Sequence, residues 1–146
     1  MRKIFLLFCL FCMPLMAARS PVFVDNGKRL ALEGYDVTTY FNGGVPKIGL
    51  RTYQIEWNSA KWRFVSAENM RRFEKNPERF APQYGGYCPI ALAEGRLSGG
   101  LTNIWQIKNG KLYMLCSNQA LEKWLENSEK IKQLADKHWP EILETN

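Results

Sequence analysis

A single histidine in 146 residues leaves little room for the chemistry that usually relies on imidazole. A Ser-His-Asp relay has no supporting constellation around His138, and a multi-histidine metal centre is excluded outright. The glycine pairs Gly43-Gly44, Gly85-Gly86 and Gly99-Gly100 lack the flanking residues of a Walker loop or a dinucleotide fingerprint. With no enzyme signature in the chain, a non-catalytic role is the expectation. Basic residues are spread among acidic ones rather than gathered in a tract, which argues against a nucleic-acid surface. The helical basics Arg71, Arg72, Lys75 and Arg79 alternate with Glu68, Glu74 and Glu78 and read as a solvated face. A long apolar run is also missing. The longest, Ile4 to Leu15, is about twelve residues, whereas crossing a bilayer takes roughly twenty.

That short run has its own meaning. Arg2 and Lys3 precede it, and Leu15-Met16-Ala17 comes after it as a small-residue cleavage signal, so residues 1–17 read as a secretory signal peptide cut after Ala17 or Ala18. The expected protein is periplasmic or secreted, with no stable membrane insertion after cleavage and one domain over residues 18–146. Cys9 and Cys12 fall in the leader. Phe8 and Phe11 stand before them, where a lipoprotein needs a small residue. Removing the leader takes the formal charge from +6 to +4 and leaves about 129 residues, enough for one apolar core. All five tryptophans lie in this mature part.

Tyr35 to Phe41 is rich in β-formers and ends at Asn42-Gly43-Gly44, predicting an N-terminal strand. Tyr53, Ile55 and Trp57 share one face of a second strand, and Trp62 and Phe64 one face of a third, with Asn58-Ser59-Ala60 between them. Ser66 suits the cap of a short helix with Met70 and Phe73 inward, which Asn76-Pro77 ends or restarts. Gly85-Gly86 permits a tight bend or a close backbone approach. Residues 91–94 read as a helical turn ending at Gly95. Asn109-Gly110 joins a second hairpin, 105–108 with 111–115, by a type I′ turn. Ser117 or Asn118 then caps a long helix with Leu121, Trp124, Leu125, Ser128, Ile131, Leu134, Ala135 and His138 on one stripe, limited by Pro140. The predicted class is α+β: a small antiparallel sheet of two hairpins plus the N-terminal strand, packed by a short helix and the long C-terminal helix.

Three stretches carry a resemblance. They are Leu32-Glu33-Gly34-Tyr35-Asp36-Val37, the core Trp62-Arg63-Phe64-Val65-Ser66-Ala67-Glu68-Asn69, and Phe80-Ala81-Pro82-Gln83-Tyr84-Gly85-Gly86-Tyr87-Cys88. Together with Trp105, Gly110-Lys111-Leu112-Tyr113, Trp124-Leu125 and Trp139-Pro140, they make residues 30 to 140 similar to the exported bacterial YHS domain-containing proteins. The resemblance implies handling of a heavy metal, copper especially, and a reactive thiol at Cys88. The cysteines flanking the first hairpin in metal-binding relatives are absent here, and Ser66 takes one of their places.

Only Cys88 and Cys116 remain after the leader. Cys88 is a candidate soft-metal ligand or redox thiolate, and equally a small apolar core residue. A Cys88–Cys116 metal pair and a Cys88–Cys116 disulfide both stay open. The bridge would enclose 27 residues and add roughly 3 kcal/mol through loop closure. Tyr35, Asp36, Tyr84 and Tyr87 would join Cys88 in a small polar ligand pocket. The alternative makes the tyrosines core aromatics and Asp36 the cap of a turn. His138, Met70 and Met114 could add little to a site: His138 suits a helix end and Met70 a core. The partners expected are thus a metal ion or small ligand, or an envelope protein. The functions to weigh are soft-metal or small-ligand binding, thiol redox through Cys88, and a non-catalytic envelope interaction module.

Overall fold

The computed structural model describes residues 19–24 and 27–144. The expected signal peptide lies outside the described residues. Two hairpins organise the chain: β1 (Leu50–Trp57) with β2 (Ala60–Phe64), and β3 (Trp105–Lys108) with β4 (Lys111–Met114). Both turns are two residues long with positive φ at each, 49° and 63° at Asn58-Ser59 and 52° and 71° at Asn109-Gly110. That geometry matches the twist of antiparallel strands.

The class is α+β, but the strands do not form a single sheet. Each hairpin is a separate two-stranded sheet, and the two meet through side chains. The free edge of β2 is occupied instead by the lead-in: Ala31 N–H donates to the Lys61 carbonyl (2.9 Å) and Lys61 N–H to that of Arg29 (2.7 Å). Nor is the stretch from Tyr35 to Phe41 a strand; Val37–Asn42 is a 3₁₀ helix. Asp36 decides this, because its carboxylate accepts the Thr38 N–H (2.9 Å) and caps the helix, overriding the β-branched composition. Gly43, at φ 70°, ends it.

After β2, α1 (Ala67–Lys75) starts under the Ser66 hydroxyl, which accepts the Asn69 N–H, and α2 (Pro77–Phe80) restarts the chain under Asn76. The short helix α3 spans Pro89–Ala93. The last helix, α4 (Asn118–Glu144), contains a break at Asn127 (φ −153°), whose side chain accepts the Lys130 N–H and caps the C-terminal segment of the helix. This break rotates the expected stripe: Ala120, Trp124, Ser128, Ala135 and Ile142 are buried, while Leu125 and Leu134 are exposed. Pro140 does not terminate the helix. A proline inside a helix removes one N–H from the ladder and crowds the carbonyl four residues back, and here the helix continues with Ile142 held beyond it in a cluster with Leu92 and Ala135.

Side chains of β4 alternate between two cores. Leu112 and Met114 enter the larger one, with Trp62, Phe64 and Phe73, while Tyr113 and Leu115 enter a second with Cys88, Ile90 and Trp124. The strand is buried on both faces, so its two-residue period divides the interior and fixes the position of Cys116 just beyond its end.

Candidate functional site

The cysteine region is built from the turn at residues 83–86. Gly85 and Gly86 take φ of 61° and 92°, and Tyr84 shares the left-handed region at 55°, which costs a side-chain-bearing residue on the order of 1 kcal/mol or more. The turn delivers Cys88 to the start of α3, where Pro89 fills the first helical position. Its backbone is clamped on both sides: Cys88 N–H donates to the Ser98 carbonyl (2.8 Å), and its own carbonyl accepts the Leu92 N–H (3.1 Å).

Cys88 is fully buried in the second core. Cys116 is half-buried beside it. The decisive contact joins them: the Cys116 backbone N–H donates to Cys88 Sγ at 3.3 Å. Both are free thiols. Leu115 N–H donates to the Ile104 carbonyl (2.8 Å), and Leu101 N–H to that of Leu115 (2.8 Å), so the exit of β4 that presents Cys116 is fixed from both directions.

Burial pushes the Cys116 thiol up to about 11, with the hydrogen bond and charge of Cys88 adding to it and the Ser98 hydroxyl opposing. The fold therefore holds this proton more tightly than the unfolded chain does. Stability from this group is intact below about pH 9 and falls as the pH rises toward 11. Thiolate is the reactive form, so Cys116 should alkylate about a hundredfold more slowly than an unperturbed thiol at neutral pH. Iodoacetamide labelling with mass spectrometry checks this: the rate should still be climbing steeply between pH 10 and 11, and a rate that levels off by about pH 10 would show an ordinary thiol. The exposed Arg96 guanidinium on the loop after α3 is paired with Glu94.

The other expected site residues divide among different packing clusters. Tyr35 packs against the larger core. Asp36 is wholly buried, and its carboxylate is used up: Oδ1 accepts Thr38 N–H and Oγ1–H (2.9 and 2.7 Å), while Oδ2 accepts Val65 N–H and the Asn69 side-chain amide (2.9 and 2.8 Å). That is a structural tie between the 3₁₀ helix and the β2–α1 junction. Tyr84 donates to Asp136 (2.7 Å) and Tyr87 to the Ser20 carbonyl (3.1 Å), and burial raises both phenols above their usual range. Both rings pack against Trp139 at steep angles, Tyr84 edge-on at 5.8 Å and Tyr87 tilted at 5.7 Å. Of the four residues expected to join Cys88 in a pocket, Tyr84 alone packs against the cluster that holds it. His138 lies against Gly95, Met114 is core, and Met70 packs on it.

Cys116 and Cys88 are the donors the fold brings together. Among the described residues, no group of three or more cysteine, histidine, aspartate or glutamate side chains is placed to hold a metal ion. A four-coordinate zinc site therefore does not fit, whereas a two-coordinate soft ion matches a pair of sulfurs. Among the described residues, no helix is long and apolar enough to cross a membrane. Comparison with family models, with curated proteins and with solved structures gives no match in any of the three.

Proposed function

We propose that this chain is an exported YHS-like protein that binds a soft monovalent metal ion, Cu(I) in character, between Cys88 and Cys116. The observation that carries the reading is the 3.3 Å contact of the Cys116 N–H with Cys88 Sγ, which brings the backbone of the half-buried cysteine onto the sulfur of the buried one at the boundary between core and surface. Thiolate is the donor that selects Cu(I) over harder ions. The half-buried Cys116 offers the approach, and Cys88 the dry inner ligand. Binding must expel the protons, so affinity rises with pH, the more so because the Cys116 thiol is held up near 11.

Anaerobic titration with Cu(I) against a chromophoric chelator tests this. One ion per chain should bind, with affinity lost by about a hundredfold or more in Cys88→Ser and in Cys116→Ser, since a single thiolate cannot complete the site. Unchanged binding in both variants would reject the reading.

The same contact favours a second reading, a dithiol that forms the Cys88–Cys116 disulfide when a small-molecule disulfide accepts its two electrons and two protons. Burial and a raised thiol pKa make the pair slow to react, in keeping with a redox-sensitive structural bond and not with a thiol catalyst. Intact mass before and after a glutathione disulfide step separates the two readings.

A further inference from the structure

A cavity of about 260 Å³, lined by neither cysteine, opens beside residues Pro21 and Val22 of the N-terminal lead-in. Four aromatic residues from three separate segments line it: Trp57 and Trp62 of the first hairpin, Tyr84 of the strained turn, and Trp139 of α4. The rings are set by their own contacts. Trp57 meets Trp62 at 5.8 Å and 63°, and Tyr84 meets Trp139 at 5.8 Å and 70°. The Trp62 indole N–H donates to the Trp57 carbonyl (3.0 Å), and the Tyr84 hydroxyl is anchored on Asp136. Both rings are thus held by polar bonds as well as by packing.

The charge of this lining runs against that of the molecule. The chain as a whole carries a formal +6, yet no lysine or arginine lines the cavity, and its one carboxylate, Glu78, forms no ion pair among the described residues. Aromatic faces carry partial negative charge and attract cations, most effectively tryptophan. An unpaired carboxylate adds to that attraction. The cavity is smaller than the roughly 300–1,000 Å³ of drug-sized sites, which points to a compact ligand. We propose that it binds a small methylated organic ammonium ion, with the part-exposed Trp57, Tyr84 and Trp139 rings meeting the methyl groups, the buried Trp62 backing Trp57, and Glu78 balancing the charge. The strained backbone at Tyr84 (φ 55°) is where an occupied site would justify the conformation.

The test compares choline with 3,3-dimethylbutan-1-ol, its uncharged counterpart of the same shape, using the mature chain, tryptophan fluorescence and calorimetry. Choline should bind saturably, at least about tenfold tighter than the alcohol, a difference of about 1.4 kcal/mol. Glu78→Gln, at an exposed position where folding is not at stake, should weaken choline by about fivefold and leave the alcohol unchanged. Trp139→Leu should lose most of the choline affinity. Equal or tighter binding of the alcohol identifies a merely apolar hollow and overturns the proposal. So does the absence of saturation up to about 20 mM choline, or choline binding that neither variant alters. Cys88→Ser and Cys116→Ser should leave choline affinity unchanged, which keeps this outcome separate from that of the metal titration.

Discussion

Asp36→Ala should cost the fold about 3–5 kcal/mol, read as a shift in the urea midpoint by tryptophan fluorescence. The carboxylate is wholly buried and receives four donors from three parts of the chain: both the backbone and the hydroxyl of Thr38, the backbone of Val65, and the amide of Asn69. Alanine leaves these donors without an acceptor in a dry region. Each stranded group costs roughly 1–3 kcal/mol, less what local rearrangement recovers. Asp36→Asn should fall between the two, because one oxygen is kept while the new NH₂ faces groups that already donate. A loss below about 1 kcal/mol for the alanine variant would mean that water reaches these donors and that the tie is weaker than its geometry.

Gly85→Ala should be nearly as damaging, at about 3 kcal/mol, and its effect should be local in character. A Cβ at this position would stand 1.9 Å from the Pro21 carbonyl oxygen, and the backbone there has φ +61°. Neither problem is solved by a side-chain rotation. The lead-in must lift, breaking the Phe23 N–H bond to the Gly85 carbonyl (2.9 Å) and exposing Val22, which is buried at 2%. Limited proteolysis should then cut within residues 19–24 of the folded variant while the hairpins stay protected. An alanine variant as resistant as the parent would show that the segment can be held without the close approach. Pro21 and Val22 also line the aromatic cavity, so the variant should weaken choline as well.

The parts of this fold that could be read from sequence are those whose cause is local. Asn109-Gly110 specifies its hairpin because both positions need positive φ, and Ser66 and Asn76 cap the helices that begin after them. The close approach allowed by Gly85 is likewise realised. The errors have distant causes. Tyr35 to Phe41 has strand-like composition, but the Asp36 carboxylate that caps the 3₁₀ helix on Thr38 is held in place through its other oxygen by Val65 and Asn69, which the local sequence does not show. Pro140 fails to stop α4 because Ile142 has a cluster to reach. The cysteines could be named, but their adjacency depends on the parity of β4. Glu78 reads in the sequence as one of several solvated charges; its place beside three tryptophans comes only from bringing residues 57, 62, 84 and 139 together. Three tryptophans and a tyrosine so far apart leave no spacing signal along the chain.

Because β4 supplies side chains to both interiors, neither half owns a complete wall. Loss of order in one compartment strips a flank from the strand that the other relies on, so the domain should melt as a single cooperative unit despite its two unconnected sheets. A partner or ion that tightens the strand's exit at Cys116 would be felt across that partition, one residue along at Leu115 and two at Met114, without any lever longer than the strand itself.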